Sequence, residues 1–370
     1  WSLPWDNLKH KDFIKRLELI GHDTVPLPCV YLFLNTYDLE NVELENEVSF
    51  RISLPYRDIM ERNPASFFKD IENLGPSEKY LNGLVFGEDG KLRSDGLFYA
   101  TSIKDIFKLI NEQVTIEQGK IGASSYEVEK LLVYKIENPG VRGKLASLFQ
   151  GAWNSKLFDV DTHIPSKWIM QDRTGTKTAM YPWRVLLYSD VVPSLVTNHL
   201  IHNKYFAPSY CFILDDLFNM QQEQLNKKND QELWLHFDEI HDLLKNPAIF
   251  EKILEIVKKG RPNRIGVTYA TQYFGDISPD IELLTDYIIS FQQTETQGKE
   301  ILKNFDAMKH QAKSIKMLPK YHAIIAGKSG NPLVIYDTEG NKEICEDGTP
   351  LKGIIFPSVS QHSAPKKEGI

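Results

Sequence analysis

The feature that most constrains the fold is the segment of residues 233–272, LWLHFDEIHDLLKNPAIFEKILEIVKKGRPNRIGVTYATQ. Short apolar runs stand near its two ends, at 233–237 and 265–270. Between them, residues 247–259 place apolar side chains at helical spacing, and Gly260 with a basic turn follows. The segment therefore predicts a strand, a helix and a second strand, which is the order of a parallel βαβ unit.

Polar residues follow both apolar runs of this segment. Asp238 and Glu239 come directly after the first run, and Thr271 and Gln272 come after the second. Ligands of open parallel sheets bind at the carboxyl ends of the strands, so these side chains are expected at one binding edge.

This arrangement favours nucleotide hydrolysis. An acid at the tip of a buried strand, here Asp238, can hold Mg²⁺ directly or through water. A second acid beside it, Glu239, can orient or deprotonate the attacking water. Gln272 would sense the γ-phosphate or position the water. The alternative interpretation is an ordinary strand followed by a capped helix start.

The combined motifs resemble those of a known superfamily. LWLHFDEIHDLL and GRPNRIGVTYATQ are similar to the Walker B strand, the GR turn and the ATQ strand of the HerA/FtsK superfamily of ring-forming DNA-pumping ATPases, above all its HerA-like branch. LPKYHAIIAGKSGNPLVI is similar to a late hairpin of that family, and DFIKRLELIGHDTVPLPCVYLF matches an upstream part more weakly. The resemblance implies an α/β fold of the RecA-like P-loop NTPase class (ASCE type), with a mostly parallel sheet flanked by helices and a helical insertion.

The resemblance also implies a function. Relatives are ATP-dependent translocases or helicases that act on double-stranded DNA as homo-oligomers, expected here as a hexameric ring, with ATP and Mg²⁺ bound between subunits. They work with a nuclease or another effector in DNA repair and end processing, chromosome movement or antiviral defence. Arg261 and Arg264 are then candidates for a finger that reaches the neighbouring subunit's nucleotide, because an arginine there neutralises transition-state charge. A solvated turn is the alternative for either arginine.

One motif of that family does not occur in this sequence, the phosphate loop GxxxxGK[ST]. Gln171 and Thr176 hold the two glycine positions before Lys177, and His322 holds the first glycine position before the GKS at 327–329. We expect the loop to lie upstream of the first residue, in a longer protein. The alternative is a nucleotide-dead relative, a scaffold subunit that assembles a ring and recruits an effector.

The sequence HFDEIH supports a rival hypothesis, a metal-dependent hydrolase. His236, Asp238, Glu239 and His241 offer nitrogen and oxygen ligands to a divalent metal ion. His236 and Asp238 share one face of the predicted strand. His241 lies past the strand end, however, and the HExxH spacing of helical zinc sites does not occur here.

Composition sets broader limits. The 370 residues, 42% hydrophobic and 25% charged, are enough for a large core or two domains. A net charge of −7 does not exclude DNA, because a ring motor needs only a basic pore lining. Cys29, Cys211 and Cys345 form neither a metal spacing nor a disulfide framework, which is typical of the reducing cytoplasm. No apolar run approaches the roughly 20 residues of a membrane helix, so no membrane partner is expected.

The remaining pattern predicts four regions. They are a first part of the core at 1–55, a helical insertion at 56–160, a second part of the core with the Walker B and sensor strands at 161–340, and a C-terminal extension and tail at 341–370. Further predicted strands are at 29–34, 48–54, 184–189 and 287–292, with a hairpin of 321–326 and 332–336. Further predicted helices are at 57–63, 65–74, 102–117, 125–135, 141–149, 191–205, 281–286, 298–305 and 308–315, and an exposed loop on a helix end is predicted at 206–231.

Overall fold

The structure of the chain is a computed structural model. It describes residues 29–34, 49–54, 59–60, 64–69, 71, 73–83, 85–86, 90–91, 103–112, 138–158, 169–171, 177–179, 182–187, 192–196, 203–228, 231–272, 275, 277–294, 296–299, 315–318, 322–327, 334–336, 342–344 and 351–354. The predicted helix at 125–135, most of the predicted helices at 298–305 and 308–315, and the part of the predicted tail beyond residue 354 lie outside these residues. Within the described part of the chain, two compact units are formed by Cys29–Leu217 and by the residues from Phe218 onward.

The described elements follow in chain order. The strands are β1 (Cys29–Leu34), β2 (Ser49–Ile52), β3 (Ile169–Gln171), β4 (Lys177–Ala179), β5 (Val192–Val196), β6 (Leu233–Phe237), β7 (Ile265–Tyr269), β8 (Tyr287–Ser290), β9 (His322–Gly327), β10 (Val334–Tyr336), β11 (Lys342–Ile344) and β12 (Leu351–Ile354). The helices are α1 (Pro64–Lys69), α2 (Ser77–Gly83), α3 (Ile103–Glu112), α4 (Pro139–Asn154), α5 (Pro182–Leu187), α6 (Phe206–Asn226), α7 (Ile240–Leu244), α8 (Pro247–Gly260) and α9 (Pro279–Leu283).

The first unit contains a three-stranded parallel sheet in the order β2-β1-β5. In its register, Leu32 of the central strand β1 faces Phe50 on one side and Leu195 on the other. Leu32 and Leu34 are buried. A continuous apolar run is what a central parallel strand requires, because helices or other layers cover both of its faces. The predicted strands at 29–34 and 48–54 are confirmed.

Helices of the first unit bury an aromatic cluster. The Phe68 ring makes edge contacts with Phe67 and Phe149, each with centroids 5.3 Å apart, and Phe67 contacts Phe158 at 5.8 Å. Helix α4 is capped by Asn138, whose side chain accepts the N–H groups of Gly140 and Val141. The predicted helices at 65–74, 102–117 and 141–149 correspond to α1, α3 and α4. These elements do not test the boundaries of the four regions predicted from the sequence, and those boundaries stay predictions.

A buried ion pair joins α5 to α6 within the first unit. The Asp216 side chain is fully buried, and its two carboxylate oxygens accept hydrogen bonds from Arg184 Nε at 2.7 Å and Nη2 at 2.8 Å. Trp183 Nε1 donates a third bond to Asp216 at 2.9 Å. A carboxylate removed from water is tolerated only when its lone pairs are satisfied in this way.

Three neighbouring predictions between residues 184 and 231 are wrong. Residues 184–189 were expected as a strand, but Pro182–Leu187 is helical; a short apolar run fits either structure, and Pro182 suits the first helical turn. Residues 191–205 were expected as a helix, but Val192–Val196 is a strand paired with β1. Pro193 is compatible with that strand because, among the described strands, β5 lies at the edge of its sheet.

The third wrong prediction is the exposed loop at 206–231, where the structure has the 21-residue helix α6. Its last turns carry the polar tract QQEQLN, yet Met220 and Gln221 are buried on one face. Gln221 Nε2 donates to the backbone oxygen of Gln231 at 2.8 Å. The polar tract is therefore the solvated side of an amphipathic helix end and not a loop.

The second unit is built on the predicted strand–helix–strand segment. Strands β6 and β7 are parallel, with Leu233 opposite Ile265 and Phe237 opposite Tyr269. Helix α8 between them is capped by Asn246, whose side chain accepts the N–H groups of Ala248 and Ile249. Its inner face is formed by Ile249, Ile253, Leu254 and Ile256, all buried. The predicted elements at 233–237, 247–259 and 265–270 are confirmed.

A second sheet of this unit has the order β12-β9-β8 and is antiparallel. The helix and strand predicted at 281–286 and 287–292 correspond to α9 and β8. The predicted hairpin is wrong in its pairing: the strands at 321–326 and 332–336 exist, but β9 pairs with β8 and β12, and β10 pairs with β11. Strands that follow one another in sequence often pair, but the chain between them can instead lead each strand to a different partner.

In the described part of the chain, the strands form two parallel and three antiparallel sheets. The architecture is thus mixed helix and strand with small parallel sheets, as the α/β prediction requires. The more specific prediction, that the core is a single RecA-like sheet, stays a prediction.

The buried ion pair yields a stability prediction. Asp216→Ala leaves the Arg184 guanidinium desolvated without its carboxylate, which we expect to lower the free energy of unfolding by about 3–5 kcal/mol. Glu78→Ala, at an exposed helical carboxylate of the same unit, is the matched control and should change it little. Urea unfolding of both variants measures the difference, and equal losses would contradict the account of Asp216.

Gly260 yields a second stability prediction. It ends α8 in right-handed conformation, and an added Cβ would lie 2.7 Å from the backbone oxygen of Ile265. Gly260→Ala should therefore destabilise the chain, by about 1–3 kcal/mol as in overpacked sites. Gly143→Ala, where a Cβ within α4 meets open space, should instead stabilise by about 0.5–1 kcal/mol. Thermal unfolding of the two variants measures whether the melting temperature falls for Gly260→Ala and rises for Gly143→Ala. A shift in the same direction for both variants would contradict the prediction.

Candidate functional site

The candidate site lies where β6 and β7 end side by side. The Phe237 oxygen accepts the N–H of Ala270 at 2.8 Å, and the Ala270 oxygen accepts the N–H of Ile240 at 3.0 Å. These two bonds continue the parallel pairing past the last strand residues. They bring the Asp238–Glu239 pair to the same edge as Thr271 and Gln272, as the sequence predicts.

Glu239 stands in a strained backbone conformation at this edge. Its φ and ψ are 48° and 49°, in the left-handed region. For a residue with a Cβ this region costs roughly 1–2 kcal/mol. The conformation turns the chain sharply from β6 into α7, and Asp238 Oδ1 accepts the Glu239 N–H at 3.1 Å. Such strain persists where surrounding contacts hold it, and it is concentrated at functional sites.

The side chains of Glu239 and Gln272 are in direct contact. Gln272 Nε2 donates a hydrogen bond of 2.6 Å to Glu239 Oε1. A charge-assisted bond of this length is stronger than one between neutral groups. Both residues were singled out from the sequence, and the structure joins them from two different strand ends.

His241 approaches the same carboxylate from α7. Its Nδ1 lies 3.3 Å from Glu239 Oε2 and 3.4 Å from Thr271 Oγ1, and its Nε2 lies 3.5 Å from Asp242 Oδ1. Glu239 Oε2 is buried and has no hydrogen-bond partner of good geometry. From the sequence, His241 is a candidate only as a metal ligand, and Asp242 is not among the predicted site residues. The sequence feature that points to His241 and Asp242 is their position, about one helical turn after the acidic pair.

Asp242 has a further partner on the solvent side. Lys245 Nζ donates to Asp242 Oδ1 at 2.6 Å, and this bond lowers the pKa of Asp242. The pair is exposed, so it contributes little to stability. It keeps the Asp242 carboxylate directed along α7, next to the His241 ring.

Asp238 is the exposed acid of the site. One of its oxygens accepts the Glu239 N–H, and the carboxylate faces solvent at the strand tip. Mg²⁺ is usually held by one or two carboxylates together with waters and substrate phosphates. The donor set at Asp238 fits Mg²⁺ bound in that way. It does not form a closed protein cage.

The rival metal-hydrolase hypothesis gains no support from the geometry. His236 Nδ1 is 2.9 Å from Thr268 Oγ1 across the strand pair. Partial burial of the ring lowers the pKa of His236, and the nearby Asp238 carboxylate opposes that shift. Among the residues that the structure describes, no three His, Cys, Asp or Glu side chains gather as a metal site.

Arg261 and Arg264 lie at the other end of the strand pair. The Arg264 oxygen accepts the N–H of Leu233, the first residue of β6, and Arg264 is left-handed with φ 53°. Five-residue strands place this turn roughly 16 Å from Asp238. Both arginines are exposed. Within one chain, therefore, they do not reach the acidic pair.

None of the helices in the described residues is long and apolar enough to cross a bilayer.

Comparisons with known proteins give distant structural similarity. No protein-family model matches the chain, and no curated protein matches it significantly. The chain is similar to VirB4 of Thermoanaerobacter pseudethanolicus, with 12% identity, a TM-score of 0.45, and coverage of 92% of this chain and 85% of that one. It is also similar to the genome packaging NTPase B204 from Sulfolobus turreted icosahedral virus 2, in complex with AMPPCP (19% identity, TM-score 0.28) and with ATP-gammaS (20%, 0.28), covering 49% of this chain and 75% of that one. These similarities do not assign the chain to a family.

The left-handed Glu239 yields a prediction that separates strain from contacts. Glu239→Gly and Glu239→Ala both remove the bond to Gln272, but only glycine relieves the backbone strain. We expect the glycine variant to be more stable than the alanine variant by about 1 kcal/mol. At Asp242, inside α7, the order should be reversed, because glycine is the poorer helix former. Urea unfolding gives the free energy of unfolding of the four variants. If Glu239→Ala is more stable than Glu239→Gly, the backbone at Glu239 is not strained.

Proposed function

We propose that this chain is a subunit of an ATP-dependent motor that moves double-stranded DNA. The proposal includes a RecA-like core of the P-loop NTPase class, ATP and Mg²⁺ as cofactors, and a homo-oligomer, expected to be a hexameric ring. It extends the resemblance of the 233–272 segment to HerA/FtsK motifs.

One observation carries the proposal, the contact between Glu239 and Gln272 at 2.6 Å. The two residues follow different parallel strands, and the backbone bonds at Ala270 hold both strand ends at one edge. An acid held by a polar residue from the next strand is the arrangement expected for a base that activates water. It also lies where parallel sheets bind ligands.

Each residue then has a separate task. The Glu239 carboxylate accepts a proton from the attacking water, and Gln272 fixes the direction of that carboxylate. Asp238, exposed at the strand tip, would hold Mg²⁺, which neutralises charge on the phosphates when bound. Because Glu239 and Asp238 are adjacent but the left-handed turn directs them differently, one can face the metal and the other the water.

The arginines make the proposed site depend on oligomerisation. Arg261 and Arg264 are exposed on the turn that precedes β7, far from the acidic pair of their own chain. An arginine can stabilise transition-state charge when a second copy brings it to the nucleotide. This supports a head-to-tail ring in which ATP binds between copies. A nuclease or another effector protein, and a role in repair, chromosome movement or defence, belong to the same proposal.

A second candidate function is a scaffold that assembles the ring and recruits an effector without hydrolysing ATP. The observation that favours it is the lack of GxxxxGK[ST] anywhere in the 370 residues. In P-loop enzymes the backbone N–H groups of this loop and its lysine hold the phosphates. Nucleotide binding by the chain separates the two candidates.

The motor proposal predicts the behaviour of Glu239→Gln. This variant keeps the side-chain size but removes the base, so ATP hydrolysis should fall by about 10²–10⁴-fold while ATP affinity stays unchanged. Glu251→Gln, at an exposed position on α8, is the control and should hydrolyse ATP like the unchanged chain. Turnover is measured with and without linear duplex DNA, together with the mass of the oligomer.

The outcomes divide the candidates clearly. DNA-stimulated turnover that depends on Glu239 supports the motor. Normal turnover in Glu239→Gln removes Glu239 from the base role. An assembled oligomer that neither binds nor hydrolyses ATP supports the scaffold.

A further inference from the structure

The two oxygens of the Glu239 carboxylate have unequal environments. Oε1 accepts the bond from Gln272, whereas Oε2 is buried without a hydrogen-bond partner of good geometry. A carboxylate oxygen withdrawn from water and left without a donor is costly, and native structures contain few such atoms. A donor is therefore expected next to Oε2.

The imidazole of His241 lies beside that oxygen. Its Nδ1 is 3.3 Å from Glu239 Oε2, so a small rotation of the ring would form a hydrogen bond. The ring itself is mostly covered, with 15% of the side chain exposed. It is placed by α7, which carries it, and by Thr271 at the end of β7, whose Oγ1 is 3.4 Å from the same nitrogen.

We propose that His241 is a positioning residue that holds the Glu239 carboxylate through Oε2, opposite the bond from Gln272. This rests on the proposed function, in which Glu239 activates water. Two donors on two oxygens fix the plane of the carboxylate. Each carboxylate oxygen has two lone pairs, so Oε1 keeps one to accept a water proton, whereas Oε2 is withdrawn from water. His241 therefore orients the Glu239 carboxylate and does not itself contact the substrate.

A competing role for His241 uses its other nitrogen. Nε2 lies 3.5 Å from Asp242 Oδ1, in the next residue of α7. A contact there would only brace the helix, and Asp242 already accepts a bond from Lys245 at 2.6 Å. The two roles need a donor at different places on the side chain, and substitutions can tell them apart.

Three substitutions at His241 separate the two roles. The amide nitrogen of asparagine, like Nδ1, is attached to Cγ, and that of glutamine, like Nε2, is one atom further out. His241→Phe keeps a ring without donors. We expect kcat for ATP hydrolysis to fall about five- to tenfold in His241→Phe and His241→Gln, the loss typical of one hydrogen bond. His241→Asn should stay within about twofold, and KM should be unchanged in all three.

A second measurement does not depend on turnover. In a double-mutant cycle on the full chain, Glu239→Ala and His241→Phe are combined and the unfolding equilibrium constant is measured in urea. The contact predicts a coupling of about fivefold in that constant. The cycle with His241→Asn in place of His241→Phe should show little coupling, because asparagine retains the donor.

The outcomes are distinguishable from those of the motor proposal. No coupling between positions 239 and 241 overturns the inference, whatever the turnover. Glu239-dependent hydrolysis with normal kcat in His241→Phe overturns the positioning role and leaves the motor standing. Rescue by glutamine in place of asparagine assigns the effect to Asp242 and also overturns it. If no Glu239-dependent hydrolysis exists, the motor fails, and the coupling alone decides whether His241 holds Glu239.

Discussion

The parallel pairing of β6 with β7, continued by the backbone bonds of Ala270, is the constraint on which the site depends. Those bonds fix the register at the point where both strands end. A slip of one residue would turn every side chain to the other face of the pair and would separate Glu239 from Gln272. The buried face of α8 packs next to β7, so packing of apolar side chains and placement of polar ones are parts of one arrangement.

The pairing of β6 with β7 also places acidic and basic side chains at opposite ends of the two strands. Asp238, Glu239 and Asp242 follow the carboxyl end of β6, and Arg261 and Arg264 precede the amino end of β7. Because each strand has five residues and is about 16 Å long, one chain cannot bring the two sets together. In the proposed motor, this separation makes a second copy necessary for a complete site and makes association and hydrolysis dependent on each other.

Glu239 combines a strained backbone with a buried side-chain oxygen that lacks a hydrogen-bond donor. Its left-handed backbone costs free energy, and its buried Oε2 lacks a partner of good geometry. Neither feature helps folding, and the first unit shows the contrast: the buried Asp216 carboxylate is fully satisfied by Arg184 and Trp183. A protein that satisfies the buried acid Asp216 and strains the partly exposed acid Glu239 has different uses for the two, with structure for Asp216 and chemistry proposed for Glu239.

The sequence by itself determined the elements between 233 and 272 and the edge where Asp238, Glu239 and Gln272 lie, because apolar periodicity and caps are local signals. Local signals failed at 184–205, where a predicted strand is a helix and a predicted helix is a strand paired with β1, and in the expected hairpin, whose strands pair elsewhere. Only the tertiary structure decided those pairings, the burial of Asp216, and the approach of His241 to Glu239. The physical reason is that strand partners and side-chain contacts are set by residues distant in sequence, whose packing free energy exceeds local propensity.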